Sequence, residues 1–554
     1  MATRGAGSPW AARVRMRCSM SARELPSDVD ANHVAELLAW LDHYCKRRLN
    51  LQLMDERRTF SPHLVLDFGR AGLMGLQVPG VYGGRPVSIR GLMRIMSKLG
   101  AIDATLGLFV GLTNVLGAGI IARAGAPALR ERVLPDLATG RMLAAFALTE
   151  PHAGSHPGSL RTTAIPSSDG WSLSGVKWLS GLAAWSGVIN TFARITPCEG
   201  GAGPISAFCI PTDRAGIAQG PEALTIGMRS MIQNEVRFEG VHVDANDLLG
   251  AEGQGMLVAH EGMGLGRLVI AGAAVGLMGH CLAVAHQYAT RRRIATGLLA
   301  AHPYCSHILW ELAGSALALE KLVTLVAGAL DAGRDVPLEI LAVCKIIGGE
   351  ESFRCANSTL QILGGRGYLE TEAIARPFRD SRVLRIFEGP TEALLHHVGL
   401  SAASADTRPW IFVSQELQGG DLVGRAQQRI QDLRALPSPE SKRKSARLAH
   451  TFLSGQLLVI TAQLAAGRLA ADTLSPTALR TLEAKFTALI SDVGRHYCEL
   501  LDSEEAHSDD LGRIIERLGS WTSTPLPYEE GRVSQLLTGV GEEFAVTRDN
   551  RMIL

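Results

Sequence analysis

The feature that most narrows the fold of this chain is a double change of texture along it. From Val29 to Arg141 apolar residues recur three and four apart, as in Val34, Leu37, Leu38 and Leu41 and again in Leu92, Ile95, Met96 and Leu99. That spacing places them on one face of a helix. At Phe146 the composition turns to glycine, serine and β-branched residues. Alternation through Val236, Phe238, Val241 and Val243 and a turn signal at Ser168-Asp169-Gly170 predict strands up to about Gly255. From Met256 to about Leu400 helical spacing returns in long Ala-rich segments divided by Gly and Pro, as expected of a bundle of about four helices. The expected fold class is therefore α+β. Its parts are a leader over 1–28, a helical domain over 29–145, a strand domain over 146–255, a helical bundle over 256–400 and a further helical domain over 401–554.

Composition excludes several functions. With 554 residues, 46% hydrophobic and 20% charged, the chain can bury a large core. Its 55 basic against 54 acidic residues give no general attraction to polyanions, so nucleic acid is not an expected partner. The nine cysteines (18, 45, 198, 209, 281, 305, 344, 355 and 498) are scattered, odd in number and without a CxxC pair. They suit neither a disulfide framework nor a zinc site, and no metal is expected. A reducing cytoplasm is the expected location, with peripheral membrane association, or a mitochondrial address in a eukaryotic source, left open. The apolar runs Ala104–Ala122 and Leu268–Ala285 contain Thr105, Thr113, Asn114, His280 and many small residues, and read as helices buried among helices. The first twenty residues carry Arg4, Arg13, Arg15 and Arg17 and no acid. A transit peptide and a mis-called start share that composition; a disordered leader with Met20 as the start is the expectation.

The stretch with most chemistry is Arg379-Asp380-Ser381-Arg382-Val383-Leu384-Arg385-Ile386-Phe387-Glu388-Gly389-Pro390-Thr391-Glu392. An acidic residue before glycine is by itself an ordinary helix end or turn. Here Arg379, Asp380, Phe387, Glu388 and Gly389 resemble the active-site signature of the acyl-CoA dehydrogenases. Further segments carry the same resemblance: Gly72 to Pro79 with Val81-Tyr82-Gly83-Gly84, Arg132 to Gly140, Ala147 to Ser155, Gly175 to Ser180, Gly227 to Gly255, and Gln361 to Tyr368. It covers roughly residues 60 to 400. The implied fold has an N-terminal helical domain, a barrel-like strand domain and a C-terminal bundle.

The resemblance implies an FAD-dependent oxidoreductase that introduces an α,β double bond into a saturated acyl thioester. Glu388 would take the α-proton while a hydride leaves the β-carbon for flavin N5. It implies flavin contacts from Phe146, Leu148, Thr149, Ser155, Trp178, Leu179 and Ser180, and an acyl site at Ser155, Arg267 and Gly389. Arg292, with Gln361, Gly364 and Gly365, would reach FAD held by a neighbouring subunit, and Glu392 would lie near the adenine. Some branches place the glutamate just before the arginine matched by Arg267; that position is Gly266 here, so the base must come from the later loop. Chemistry adds its own demand, because a thioester α-proton is too weakly acidic for a hydrated carboxylate. Glu388 must therefore sit in a dry pocket that raises its pKa.

The sequence also departs from the pattern: His152, His156-Pro157, Ala295 and Pro390 replace the usual residues, and the lysine-to-tryptophan spacing at Lys177-Trp178 is one residue short. The alternative reading of the Arg291-Arg292-Arg293 cluster is a solvated surface patch. Beyond Leu400 the resemblance stops, and Leu453 to Leu474, broken by Gln456, Gln463 and Arg468, is expected to pack on the core. An extension of this size is loosely like the very-long-chain branch. The implied partners are acyl-CoA or acyl-carrier-protein thioesters, an electron-transferring flavoprotein and further copies of the chain, as a dimer or tetramer. Alternatives to a role in fatty acid metabolism are a carrier-protein dehydrogenase of a biosynthetic pathway and a catalytically silent assembly relative. Flavin monooxygenases share the fold but generally lack the loop glutamate, which argues against them.

Overall fold

The computed structural model describes residues 27–196, 203–404, 407–437, 443–474 and 476–502. Most of the predicted leader, Cys18, Cys198 and the chain beyond 502 lie outside the described residues. The first region is helical: α1 (Ser27–Arg48), α2 (Leu51–Arg57), α3 (Pro62–Ala71), α4 (Ile89–Ile102), α5 (Ala104–Leu112), α6 (Gly119–Ala124) and α7 (Pro127–Ala138). Local chemistry sets two of the starts. The Ser88 hydroxyl accepts from Gly91 N–H at 2.9 Å and the Asp103 carboxylate from Leu106 N–H at 3.1 Å, each satisfying a donor that the first helical turn leaves open. Between α5 and α6, Thr113–Ala118 form a π-helical turn. Its extra residue is accommodated by fully buried Asn114, which donates to Leu73 O and Val110 O at 2.8 Å each and accepts from Gln77 N–H at 3.2 Å.

The strands are β1 (Ala144–Ala147), β2 (Thr163–Ser167), β3 (Gly170–Gly181), β4 (Val188–Ile195), β5 (Ile205–Pro211), β6 (Ile217–Glu222), β7 (Gln233–Val243) and β8 (Leu248–Leu249). They form one sheet in the order β6-β7-β3-β2-β4-β5-β8, and β1 joins it by pairing parallel with β4. Ser168-Asp169 turns the antiparallel β2–β3 hairpin. Phe238 and Val241 are both buried although three residues apart, a slip that strict alternation forbids. The register shifts opposite Leu173 and Gly175, and Gly240 takes a left-handed φ of 63°. This irregularity resets which face the side chains meet.

The later region holds α8 (Gly255–Ala289), a short hairpin of β9 (Arg293–Ile294) and β10 (Gly297–Leu298), then α9 (Pro303–Asp331), α10 (Leu338–Leu363), α11 (Ala375–Val383) and α12 (Thr391–Ala402). Helix α8 lies between α4 and α10. It approaches α4 closely, because a Cβ on Gly276 would stand 1.8 Å from Ser97 O and one on Gly100 2.1 Å from Ala273 O. Only glycine fits at such a crossing.

Beyond it come α13 (Arg408–Gln415), α14 (Gly420–Ala435), α15 (Arg443–Leu469) and α16 (Pro476–Asp502). Helix α15 crosses α12 by the same device, a Cβ on Gly399 falling 1.7 Å from Thr451 O and one on Gly455 2.1 Å from Leu395 O. Among the described residues four helical stretches, 104–124, 255–289, 303–331 and 443–469, are long and apolar enough to cross a membrane by length and composition. Each is largely covered by the protein itself, the first to 94%, so burial in the fold accounts for their apolar character.

Candidate active site

Helix α11 ends at Val383 and α12 begins at Thr391, and the loop between them carries Glu388. The loop is closed by Thr391 N–H donating to Arg385 O at 3.0 Å, and Pro390 supplies a φ of −55° just ahead of the helix. Glu388 and Gly389 adopt left-handed φ angles of 54° and 100°. For glutamate that conformation costs roughly 1 kcal/mol or more, so surrounding contacts must impose it. Two cations from different helices meet the consecutive carbonyls. Arg267 Nε of α8 donates to Glu388 O at 3.2 Å, and Lys345 Nζ of α10 donates to Gly389 O at 2.6 Å. One turn and a half along α10, Glu350 accepts from Arg385 Nε and Thr391 Oγ1, both at 2.7 Å, and so holds both ends of the loop.

The Glu388 carboxyl lies against α8 where the helix has no side chain: a Cβ on Gly266 would be 3.7 Å from its Cδ, from its Oε2 and from Leu116 Cδ2 of the π-helical turn. Its Oε2 is buried and has no hydrogen-bond partner among the described residues. Burial pushes the Glu388 pKa from 4.5 to about 7, against the opposing pull of Arg267 and Lys345. Burial likewise depresses Lys345 to about 8, with Arg267 adding to the fall and Glu388, Glu350 and Glu392 opposing it. Arg267 is itself lowered by desolvation, with Glu388 opposing. His260 is half-buried, and desolvation, with Arg267 and His397 adding to it, pushes it down to about 4, so it stays neutral. A carboxylate balanced near neutrality, with one oxygen unengaged, is equipped to accept a proton.

The strand domain presents a second group of the predicted residues. Glu150 is buried and accepts from Arg161 N–H at 2.6 Å, Thr162 N–H at 3.0 Å, Thr162 Oγ1 at 2.5 Å and Lys177 Nζ at 2.8 Å. Lys177, fully buried on β3, also reaches Leu148 O at 3.4 Å, and Trp178 N–H donates to Thr149 O at 2.9 Å. These bonds fasten the Leu148-Thr149-Glu150 segment to β3. Leu179 stands exposed with φ 52°, and beside it Ser180 Oγ is buried without a partner among the described residues. Trp178 and Thr149 are half-buried and Ser155 is exposed. The Leu148 side chain belongs to the core, and the half-buried Phe146 ring stacks edge-on to Phe192 at 5.2 Å. The unsatisfied Ser180 hydroxyl and the braced Thr149 segment fit a flat, hydrogen-bonding ring such as a flavin.

The remaining predicted residues are exposed. Arg292 lies in the turn between α8 and β9, and Gln361 at the end of α10. A Cβ on Gly364 or Gly365 would meet nothing within 4 Å. Glu392 sits exposed in the first turn of α12; since Glu388 precedes the helix, the two do not share a helical face. Thus the structure gathers Glu388, Gly389 and Arg267 at one point and leaves Arg292 and the Gln361 loop on the surface. Lys345, Glu350 and Leu116 were not anticipated from sequence. For Lys345 the signal was there: a lone lysine within the apolar run Ile340 to Ile347. Among the described residues no cluster of His, Cys, Asp and Glu could hold a metal ion.

Comparison with known proteins agrees with this architecture from the first helical region through the bundle. Residues 35–141, 145–241 and 253–402 match, in order, the acyl-CoA dehydrogenase N-terminal, middle and C-terminal domains. An acyl-CoA dehydrogenase of Bacillus subtilis is 31% identical over 341 residues, covering 62% of this chain and 89% of that protein. The mitochondrial very long-chain specific acyl-CoA dehydrogenase of Macaca fascicularis is 32% identical over 339 residues, and the match spans about half, 51%, of its length. In fold, an acyl-CoA dehydrogenase from Bacillus anthracis solved with FAD superposes with a TM-score of 0.71 over 94% of this chain and 95% of its own, at 20% identity. The chain belongs to the acyl-CoA dehydrogenase family, FAD-dependent oxidoreductases acting on CH–CH groups.

Proposed function

We propose that the protein removes the α-proton of a saturated acyl-CoA thioester through Glu388, in the course of forming an α,β double bond. The observation behind this reading is the Glu388 carboxyl, whose Oε2 is buried and unpaired and whose pKa is raised to about 7. An unengaged oxygen in a desolvated place accepts a carbon-bound proton far more readily than one solvated by water. Gly266 leaves room beside it, and no side chain there can serve as an alternative base. Arg267 and Lys345 fix the loop carbonyls, so the carboxyl approaches from one direction. FAD, when bound, supplies the acceptor for the β-hydride. Thr149, Trp178, Leu179 and Ser180 would hold its ring, the Ser180 hydroxyl finding there the partner it lacks. Ser155, at the exposed end of the same segment, would face the thioester.

The exposure of Arg292, Gln361, Gly364 and Gly365 supports a homo-oligomer in which these residues complete a neighbour's cofactor site. We take an electron-transferring flavoprotein as the acceptor of the electrons. Residence in a reducing compartment is supported by free Cys45, Cys209, Cys281, Cys305, Cys344 and Cys355. The test is anaerobic bleaching of the bound flavin by a panel of acyl-CoA and acyl-carrier-protein thioesters. Rapid bleaching by acyl-CoA is the expected outcome. Bleaching by carrier-bound thioesters alone would move the protein to a biosynthetic dehydrogenase, and bleaching by none would make it a silent relative.

A further inference from the structure

We propose that Lys345 is the positioning residue of the catalytic base: from α10 it ties the Gly389 carbonyl and supplies, from inside the core, the positive charge that keeps Glu388 ionised. The inference rests on Glu388 being the base and deepens that reading. A lysine with no exposed surface is costly to bury, and α10 places this one among Ile340, Leu341, Ile346 and Ile347. Packing alone would favour an apolar residue there. What Lys345 does instead is donate at 2.6 Å to Gly389 O, the residue after Glu388, where the chain holds two consecutive left-handed φ angles.

Arg267 performs the neighbouring task on Glu388 O at 3.2 Å. The two cations therefore orient two successive peptide units and so fix the direction in which the Glu388 side chain leaves the backbone. The rest of the surroundings decide how much charge reaches the carboxyl. Facing it are Arg267 and Lys345, both lowering its proton affinity. On α10, Glu350 is committed to Arg385 and Thr391. Glu392 and His397 lie on α12 and His260 on α8, all within electrostatic reach of Lys345 or Arg267. His260 is held neutral, so it adds no cation of its own.

Arg267 alone would leave the carboxyl with half its counter-charge. Without Lys345, Glu388 would hold its proton to higher pH, and below that pH it could not act. A merely structural lysine would affect rate and stability without moving that pH.

The test measures the rate of anaerobic flavin reduction by an acyl-CoA across pH in the flavin-loaded protein and in Lys345→Met, Lys345→Gln and Lys345→Arg. In the parent the rate should rise with pH as Glu388 loses its proton. In Lys345→Met and Lys345→Gln the midpoint should move upward by roughly one pH unit, the size of shift that a single close counter-charge produces. Lys345→Gln retains a donor for Gly389 O and should lose less of the limiting rate than Lys345→Met, while Lys345→Arg should keep the parental midpoint. Two neutral variants guard against one failing to fold, as judged by flavin content and melting. A midpoint unchanged in the neutral variant or variants that fold would overturn the proposal. Glu388→Gln is run alongside: if it still reduces flavin, the identity of the base is wrong, whereas an inert Glu388→Gln with unshifted Lys345 variants refutes only the role of Lys345.

Discussion

The loop that carries Glu388 and the surface segments at Arg292 and Gln361 are both attached to long helices of the same bundle, yet they are built in opposite ways. The Glu388 loop is gripped by Arg267, Lys345 and Glu350 from two helices, and its carboxyl faces a glycine. Around Gly364 and Gly365 there is only open space, and Arg292 is exposed. Under the proposed function, the reacting end of the site would be complete within one chain, whereas the end assigned to the dinucleotide would draw on a neighbouring copy.

The largest expected effect comes from breaking a buried charge pair. Lys177→Met would leave Glu150 buried without its cation, and loss of one partner of such a pair typically costs about 3–5 kcal/mol. A marked fall in melting temperature with loss of flavin is expected; an unchanged melt would show that the three bonds from Arg161 and Thr162 suffice.

Next in size is the penalty carried by Glu388 itself. Its folded pKa lies above that of the unfolded chain, so the native state keeps a proton that the unfolded state has released. Stability from this group is therefore lost as pH rises from about 4.5 and is fully lost above about 7. The rise corresponds to up to roughly 3 kcal/mol. Glu388→Gln should thus be more stable than the parent at pH 8 and equal to it near pH 4.5, by denaturant unfolding at both values. Equal stability at both would mean the carboxyl is not desolvated.

Smaller effects test the exposed end. Arg292→Ala should leave the fold of the single chain within about 0.5 kcal/mol of the parent, as exposed substitutions do, yet weaken flavin retention and loosen the oligomer together. Flavin content measured across a sizing column checks this, and a fully loaded variant of unchanged size would remove the contrast between the two ends. Glu392→Gln should alter the affinity for flavin a few-fold without touching proton abstraction, because its side chain points from the first turn of α12 into solvent. Titration of flavin into stripped protein reads that change.

Much of this was legible from residue order, and the exceptions have physical reasons. Periodicity located the helical and strand regions, because short-range patterns record short-range structure, while Glu388 was singled out by the resemblance of its loop to a family signature. The π-helical turn at Thr113 to Ala118 and the slip at Gly240 were not legible, since both depend on what the chain packs against. Nor could spacing show that the isolated glycines Gly399 and Gly455 meet each other's helices, which binds α15 to α12 instead of leaving it apart. Lys345 was passed over because a lysine in an apolar helix announces a buried charge and not its partner.

The most direct test of the account is stopped-flow reduction of the bound flavin by a substrate acyl-CoA in Glu388→Gln under anaerobic conditions. Glutamine preserves the shape but offers no site for the proton, and losing a general base typically costs about 10² to 10⁴ in rate. The account predicts a yellow, fully loaded variant whose flavin stays oxidised on the timescale in which the parent bleaches. Bleaching at the parental rate would contradict it.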